Sequence, residues 1–218
     1  KDLQGKSYTL NNVGIINKNM GNYEKALEYY DECLRIMEKT GDPSGMASSL
    51  NNIGIVYDEQ GKHQEALEAY QKALGIARKI GDKQQTVNNL CSIIPTKIAL
   101  GMMDDAKKDC DEAYDISIEM GSKRNEHWII RNRGLVQAHE GNVQEAEGLF
   151  SASAEGFREL GMEAEIAKTL LEHGKMLLKD GKLNRGKDLV TKAQDIFSSS
   201  GMIKLVQDCQ DTLEKYCQ

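Results

Sequence analysis

Much is missing from this chain. Proline occurs only twice in 218 residues, aromatic side chains make up 6%, and there is one tryptophan. So few prolines exclude a proline-rich, disordered segment. No run of eighteen apolar residues occurs, which excludes a transmembrane helix. Positive charge is in deficit, with a formal net charge of -6. An acidic chain lacks the footprint needed to hold a polyanion, so no nucleic acid and no membrane surface is expected as a partner. The five cysteines, Cys33, Cys91, Cys110, Cys209 and Cys217, are odd in number and contain no C-x-x-C. Zinc sites need clustered ligands. These are read instead as reduced thiols packed as small apolar residues, which points to a reducing, cytoplasmic compartment. No signal peptide is visible. The chain opens at Lys1, inside a repeat, and so reads as part of a longer protein.

Catalytic and metal signatures are also lacking. His63, His127, His139 and His173 form no H-E-x-x-H and no close pair. They read as packing or surface histidines. There is no G-x-S-x-G and no G-x-x-x-x-G-K-[ST]. The acid-rich run from Asp104 to Asp115 lacks the glycine turn of a calcium loop and reads as a solvated helix face. The expectation is no enzyme, no metal and no cofactor.

Glycine, in contrast, is abundant and ordered. It recurs every twenty residues from Gly21 to Gly201. Between glycines the apolar residues follow helical spacing: Tyr23, Ala26, Leu27, Tyr30, Leu34 and Met37 make one stripe. A glycine just past a helix end supplies the positive φ that stops it. The next residue is often a good N-cap, as at Asn22, Asp42, Asp82, Ser122 and Asn142. Pro43 follows at the first helical position, where a missing N–H costs nothing.

These signals predict helices of about eighteen residues joined by very short turns, hence antiparallel neighbours. Two helices make a forty-residue period, as sequence self-similarity also shows: "TLNNVGIINKNMG" from Thr9 returns as "SLNNIGIVYDEQG" from Ser49. The expected layout is residues 1–201 as five pairs (1–40, 41–80, 81–120, 121–160 and 161–200), then a capping helix over 202–218. In that cap Leu205, Val206, Cys209, Leu213 and Tyr216 face the fifth pair. No cap precedes the first pair, which points to missing chain or a self-association surface.

Small residues recur where helices touch. Gly14, Gly54, Gly134 and Gly174 mark first helices, with Ile94 breaking the series. Ala26, Ala66, Ala106 and Ala146 mark second helices, with Gly186 in the fifth pair. Leu10, Leu50, Leu90, Ile130 and Leu170, with Tyr30, Tyr70 and Phe150, are expected to fill the space between pairs. Pro95, inside the first helix of the third pair, predicts a kink, since an interior proline costs about 3 kcal/mol.

The order Leu50, Ile53, Gly54, Tyr57, Gly61, Ala66, Tyr70 and Ala73 resembles the tetratricopeptide repeat family. The long period with "LNN-G" and a terminal "GD" is similar to the subgroup of kinesin light chains and Partner-of-Inscuteable adaptors. The resemblance implies an all-α, right-handed α-solenoid of five antiparallel helix pairs plus a C-terminal capping helix. It also implies a non-catalytic scaffold or adaptor that binds a protein or peptide in a concave groove lined by first helices. Alternatives are a regulatory sensor or autoinhibitory region of a larger signalling protein, and a self-assembling array.

Two ladders then line the groove: Asn12, Asn52, Ser92, Asn132, Glu172, and Asn11, Asn51, Cys91, Arg131, Leu171. Asparagine can donate and accept at once, which suits bridging an extended backbone. The resemblance implies that role for Asn12, Asn52 and Asn132, and by extension Asn11 and Asn51. The same side chains could instead bond within the array and stitch adjacent helices. Arg131, Lys168, Lys175 and Lys179, with Trp128 one turn before Arg131, predict acidic or apolar peptide residues in the C-terminal half of the groove. Trp128 could equally pack between pairs.

Overall fold

The structure is a computed structural model and describes residues 3–216. Cys217 and the end of the proposed cap lie outside the described residues. Among the described residues every regular element is an α-helix. The chain divides into two units, residues 1–120 and 121–218. The N-terminal unit holds α1 (Leu3–Asn19), α2 (Tyr23–Thr40), α3 (Pro43–Glu59), α4 (His63–Lys79), α5 (Lys83–Ala99) and α6 (Met103–Met120). The C-terminal unit holds α7 (Lys123–His139), α8 (Val143–Glu159), α9 (Glu163–Lys179), α10 (Leu183–Ser199) and α11 (Ile203–Tyr216).

The turns are two residues of backbone wrapped around a glycine. All ten turn glycines have positive φ. At Gly41, φ is 68°, and the next N–H, that of Asp42, closes the turn on the Met37 carbonyl at 3.0 Å. An L side chain at that φ would be strained, which is why glycine keeps the twenty-residue beat. The caps divide into two kinds. The carboxylates of Asp42 and Asp82 accept from the backbone N–H groups of Gly45 and Gln85, each at 2.9 Å. Asn22, Ser122 and Asn142 make no side-chain cap bond, contrary to the sequence reading. The two asparagines reach back across the turn instead: Asn142 donates to Gln137 Oε1 at 2.6 Å, and Asn22 to Asn17 Oδ1 at 3.5 Å.

Within each unit, consecutive helices pack as antiparallel pairs and each pair packs on the next. In the N-terminal unit α1 also touches α3, and α3 touches α5; in the C-terminal unit α7 touches α9, and α9 touches α11. The first helices of each unit are therefore neighbours. The recurring glycines work inside the pair. A Cβ built on Gly14 would lie 2.6 Å from the Tyr30 ring, one on Gly54 2.6 Å from Tyr70, and one on Gly134 3.0 Å from Phe150. The aromatic rings thus fill space within their own pair as well as between pairs, where Tyr30 joins Ile53, Val56 and Ala69. In the third pair both members change together. Ile94 replaces the glycine, Cys110 replaces the aromatic, and both are buried.

α11 lays Leu205, Val206, Cys209, Leu213 and Tyr216 on Ala167, Leu171, Val190 and Phe197 of α9 and α10. At the other end Ile16 is 57% exposed, whereas Val56, one repeat later, is fully buried under α2. α5 runs through Pro95 without interruption, and the ring lies on the exposed side of the helix. The missing N–H therefore does not end the helix.

Candidate functional site

In the N-terminal unit the first helices carry no charge over most of their length. Residues 7–17, 43–57 and 84–96 contain no Asp, Glu, Lys, Arg or His. The second helices hold the charge, as in "YEKALEYYDECLRIMEKT" of α2. The first-helix face is therefore built of carboxamides, hydroxyls and apolar groups. Carboxamides tie neighbouring helices together. Asn52 Nδ2 donates to Asn11 Oδ1 at 2.8 Å, joining α3 to α1. Gln85 Nε2 donates to Ser48 Oγ at 2.7 Å, joining α5 to α3.

Those bonds split the asparagine set. Asn12 is exposed on α1. Asn52 is half-buried and spends one donor on Asn11, leaving its carbonyl and second N–H for other partners. Asn11 is thus a strut for Asn52. Asn51 is half-buried, and its Oδ1 is buried and accepts no hydrogen bond. Asn132, in the C-terminal unit, is 2% exposed. That burial takes it out of the accessible ladder.

A separate cluster sits behind this face. Asp58 Oδ2 accepts from Thr96 Oγ1 at 2.5 Å and from Tyr70 OH at 3.2 Å, and Asp58 Oδ1 lies 2.9 Å from His63 Nδ1. Burial, with the Asp58 carboxylate, pushes the Tyr70 phenol well above its usual range. Through the Asp58–Thr96 bond the cluster fastens the second pair to the third.

In the C-terminal unit, three of the singled-out side chains converge on a residue the sequence reading left out. Glu165, 8% exposed, accepts from Trp128 Nε1 at 2.8 Å, Arg131 Nη1 at 2.7 Å and Lys168 Nζ at 2.8 Å. Burial alone would raise this carboxyl; Arg131 and Lys168 overcome it and hold the group down at about 2. The Arg124 guanidinium lies over the Trp128 ring, 5.0 Å from its centre. Lys175 pairs with Glu172 at 2.9 Å, and that carboxylate holds the ammonium above its ordinary pKa. Lys179 is exposed at the end of α9. Arg131, Lys168 and Lys175 are thus already paired within the chain. The Lys168–Glu165 spacing of three residues was visible in the sequence. The approach of Trp128 and Arg131 depends on how α7 faces α9, which no local pattern records.

A depression of about 520 Å³ between α1 and α2 is lined by Leu3, Lys6, Glu32, Arg35 and Lys39 among others. It includes none of the asparagines. Among the described residues no three His, Cys, Asp or Glu side chains are grouped so as to hold a metal ion, and no helix is long and apolar enough to cross a membrane.

Residues 7–79 match the tetratricopeptide repeat family. Over that stretch the chain resembles tetratricopeptide repeats. No curated protein matches it. Among solved structures, it is similar to a Rap conjugation gene regulator of plasmid pLS20 in complex with a Phr peptide. Identity is 18% and the TM-score 0.79, over 100% of this chain and 60% of that one. A Rap protein complexed with competence and sporulation factor follows at 17% identity and TM-score 0.76, over 97% of this chain and 64% of that one. A Podospora anserina putative kinesin light chain, described as nearly identical TPR-like repeats, matches at 14% identity and TM-score 0.60, over 92% and 98% of the two chains. The chain thus spans about three-fifths of the length of the two Rap structures. At these identities the likeness concerns the fold.

Proposed function

We propose that this tetratricopeptide array is a non-catalytic interaction module that holds a peptide segment of a partner protein on the first-helix face of its N-terminal unit. The observation that carries this reading is the uncharged carboxamide face on the adjacent helices α1, α3 and α5, with Asn12 exposed and Asn52 oriented by Asn11. A carboxamide can take a peptide N–H and a peptide C=O at once, so it holds a backbone whatever its side chains. A structurally similar Rap regulator is in complex with a Phr peptide, which supports a peptide as the ligand class. An acidic ligand on the C-terminal unit is disfavoured, because Arg131 and Lys168 are already bound to Glu165, and Lys175 to Glu172.

The test is capture of partners from lysate on the immobilised chain, repeated with Asn12→Ala and Asn52→Ala together. A partner held by the parent chain and released by the double variant supports the reading. Equal retention, with circular dichroism unchanged, moves the site elsewhere.

A further inference from the structure

The forty-residue period places equivalent residues of α1, α3 and α5 in rows across three touching helices. One row is polar and uncharged: Asn12, Asn52, Ser92. The position three residues further along each helix makes a second row: Ile15, Ile55, Pro95. On a helix, residues three apart are neighbours on one face. The apolar row therefore runs beside the carboxamide row. It is open to solvent: Ile15 and Pro95 are exposed and Ile55 is half-buried. Pro95 thus stands where its repeats carry isoleucine. It costs α5 a hydrogen bond, yet it continues the apolar row and lies outward.

Packed helices stand about 8–10 Å apart. A polyproline II chain advances about 3.1 Å per residue with three residues per turn, so one helix-to-helix step corresponds to roughly three residues and brings a side chain back to the same side. No charged side chain lies on either row, so a ligand charge lowered onto it would lose water and gain no counter-charge.

We infer that the N-terminal unit takes an uncharged peptide segment in the polyproline II conformation, with an apolar side chain at every third residue. Its backbone lies on Asn12, Asn52 and Ser92, and its apolar side chains lie on Ile15, Ile55 and Pro95. This rests on the peptide-binding reading above and specifies its ligand. A helical ligand would need a different period, since roughly 10 Å of α-helix spans about seven residues.

The experiment selects a display library of random peptides of about twelve residues on the immobilised chain. Enriched peptides are then measured by calorimetry against the parent, Ile55→Lys and Pro95→Lys. The expected winners lack charge and repeat apolar residues every third position. Their affinity holds within about twofold between roughly 50 and 500 mM salt, where a charge-driven complex would weaken severalfold. Both lysine variants weaken binding by roughly tenfold or more. Pro95→Lys lies on the exposed side of α5, so it tests the row even if Ile55→Lys disturbs packing. Acidic or salt-sensitive winners, a seven-residue period, indifference to both lysines, or no enrichment would each overturn the inference. Partner release by the asparagine double variant, alongside any of those results, would leave the proposed function standing and remove only this ligand.

Discussion

The ring of Tyr70 lies across the backbone of Gly54 so closely that one added carbon on Gly54 would sit 2.6 Å from it. Gly75, in the middle of α4, faces open space instead. The same substitution therefore has opposite signs at the two sites. Gly54→Ala forces Tyr70 or the helix axis to move and lowers stability by about 1–3 kcal/mol. Gly75→Ala raises it by about 0.5–1 kcal/mol through helix propensity alone. Urea unfolding of both variants checks this.

Ile94 and Cys110 are a volume exchange. Where the other pairs set a glycine under a large residue, the third pair sets isoleucine opposite cysteine, and both are buried. Ile94→Gly opens a cavity, and Cys110→Tyr overfills the space, each costing at least about 1 kcal/mol. Combined, they recreate the Gly54–Tyr70 arrangement and recover most of the loss. A double-mutant cycle should yield a coupling of about 1 kcal/mol or more; additive losses would show the two positions are independent.

Glu165 makes the C-terminal unit acid-sensitive. Its folded pKa of about 2 lies below the ordinary 4.5. The unfolded chain therefore binds the proton first as pH falls. The stabilisation is complete above about pH 4.5 and disappears as pH drops towards 2, a span worth about 3 kcal/mol. Glu165→Gln removes this slope and costs about 3 kcal/mol at neutral pH, since Arg131 loses its buried partner. Trp128 is the only tryptophan and donates to Glu165, so its fluorescence reports the event directly.

His173 adds a second pH effect at milder acidity. Its ring stacks on Phe150 with centroids 5.5 Å apart, and its Nε2 is buried with no hydrogen bond. Burial lowers its pKa below the ordinary 6.5. The folded state thus resists protonation while the unfolded state accepts it, so stability declines as pH falls below about 6.5. Replacement by leucine should flatten the stability curve between about pH 7 and pH 5. An unchanged slope would assign the effect to other groups.

What the sequence showed clearly was whatever repeats locally. Helix ends follow from glycine and its positive φ, and the apolar stripe of α2 follows from spacing within one helix. The first-helix asparagines stand out for the same reason. What stayed hidden depends on how separate helices face each other. Asn11 and Asn52 look equivalent as letters, yet one serves the other across a gap of forty-one residues. Asn132 occupies the same repeat position as Asn52, yet it is buried while Asn52 is only half-buried. Glu165 looks like an ordinary first-turn acid of α9 until Trp128 and Arg131 are brought to it. Asn22 and Asn142 have a capping residue's chemistry, but a nearer side-chain acceptor across the turn wins.

The even beat of the turns has a genetic side. Every turn is built around a positive-φ glycine, and equivalent helix faces recur forty residues apart. A crossover between two misaligned copies of such a gene, joining one repeat to the next at matching positions, removes or adds one whole helix pair. The interfaces on either side of the join are of kinds the chain already makes. Length, and with it the number of rungs offered to a ligand, can therefore change in single steps without redesigning a core. A shift of twenty residues has no such tolerance in the N-terminal unit: it would place a charged second helix where a first helix with an uncharged face belongs.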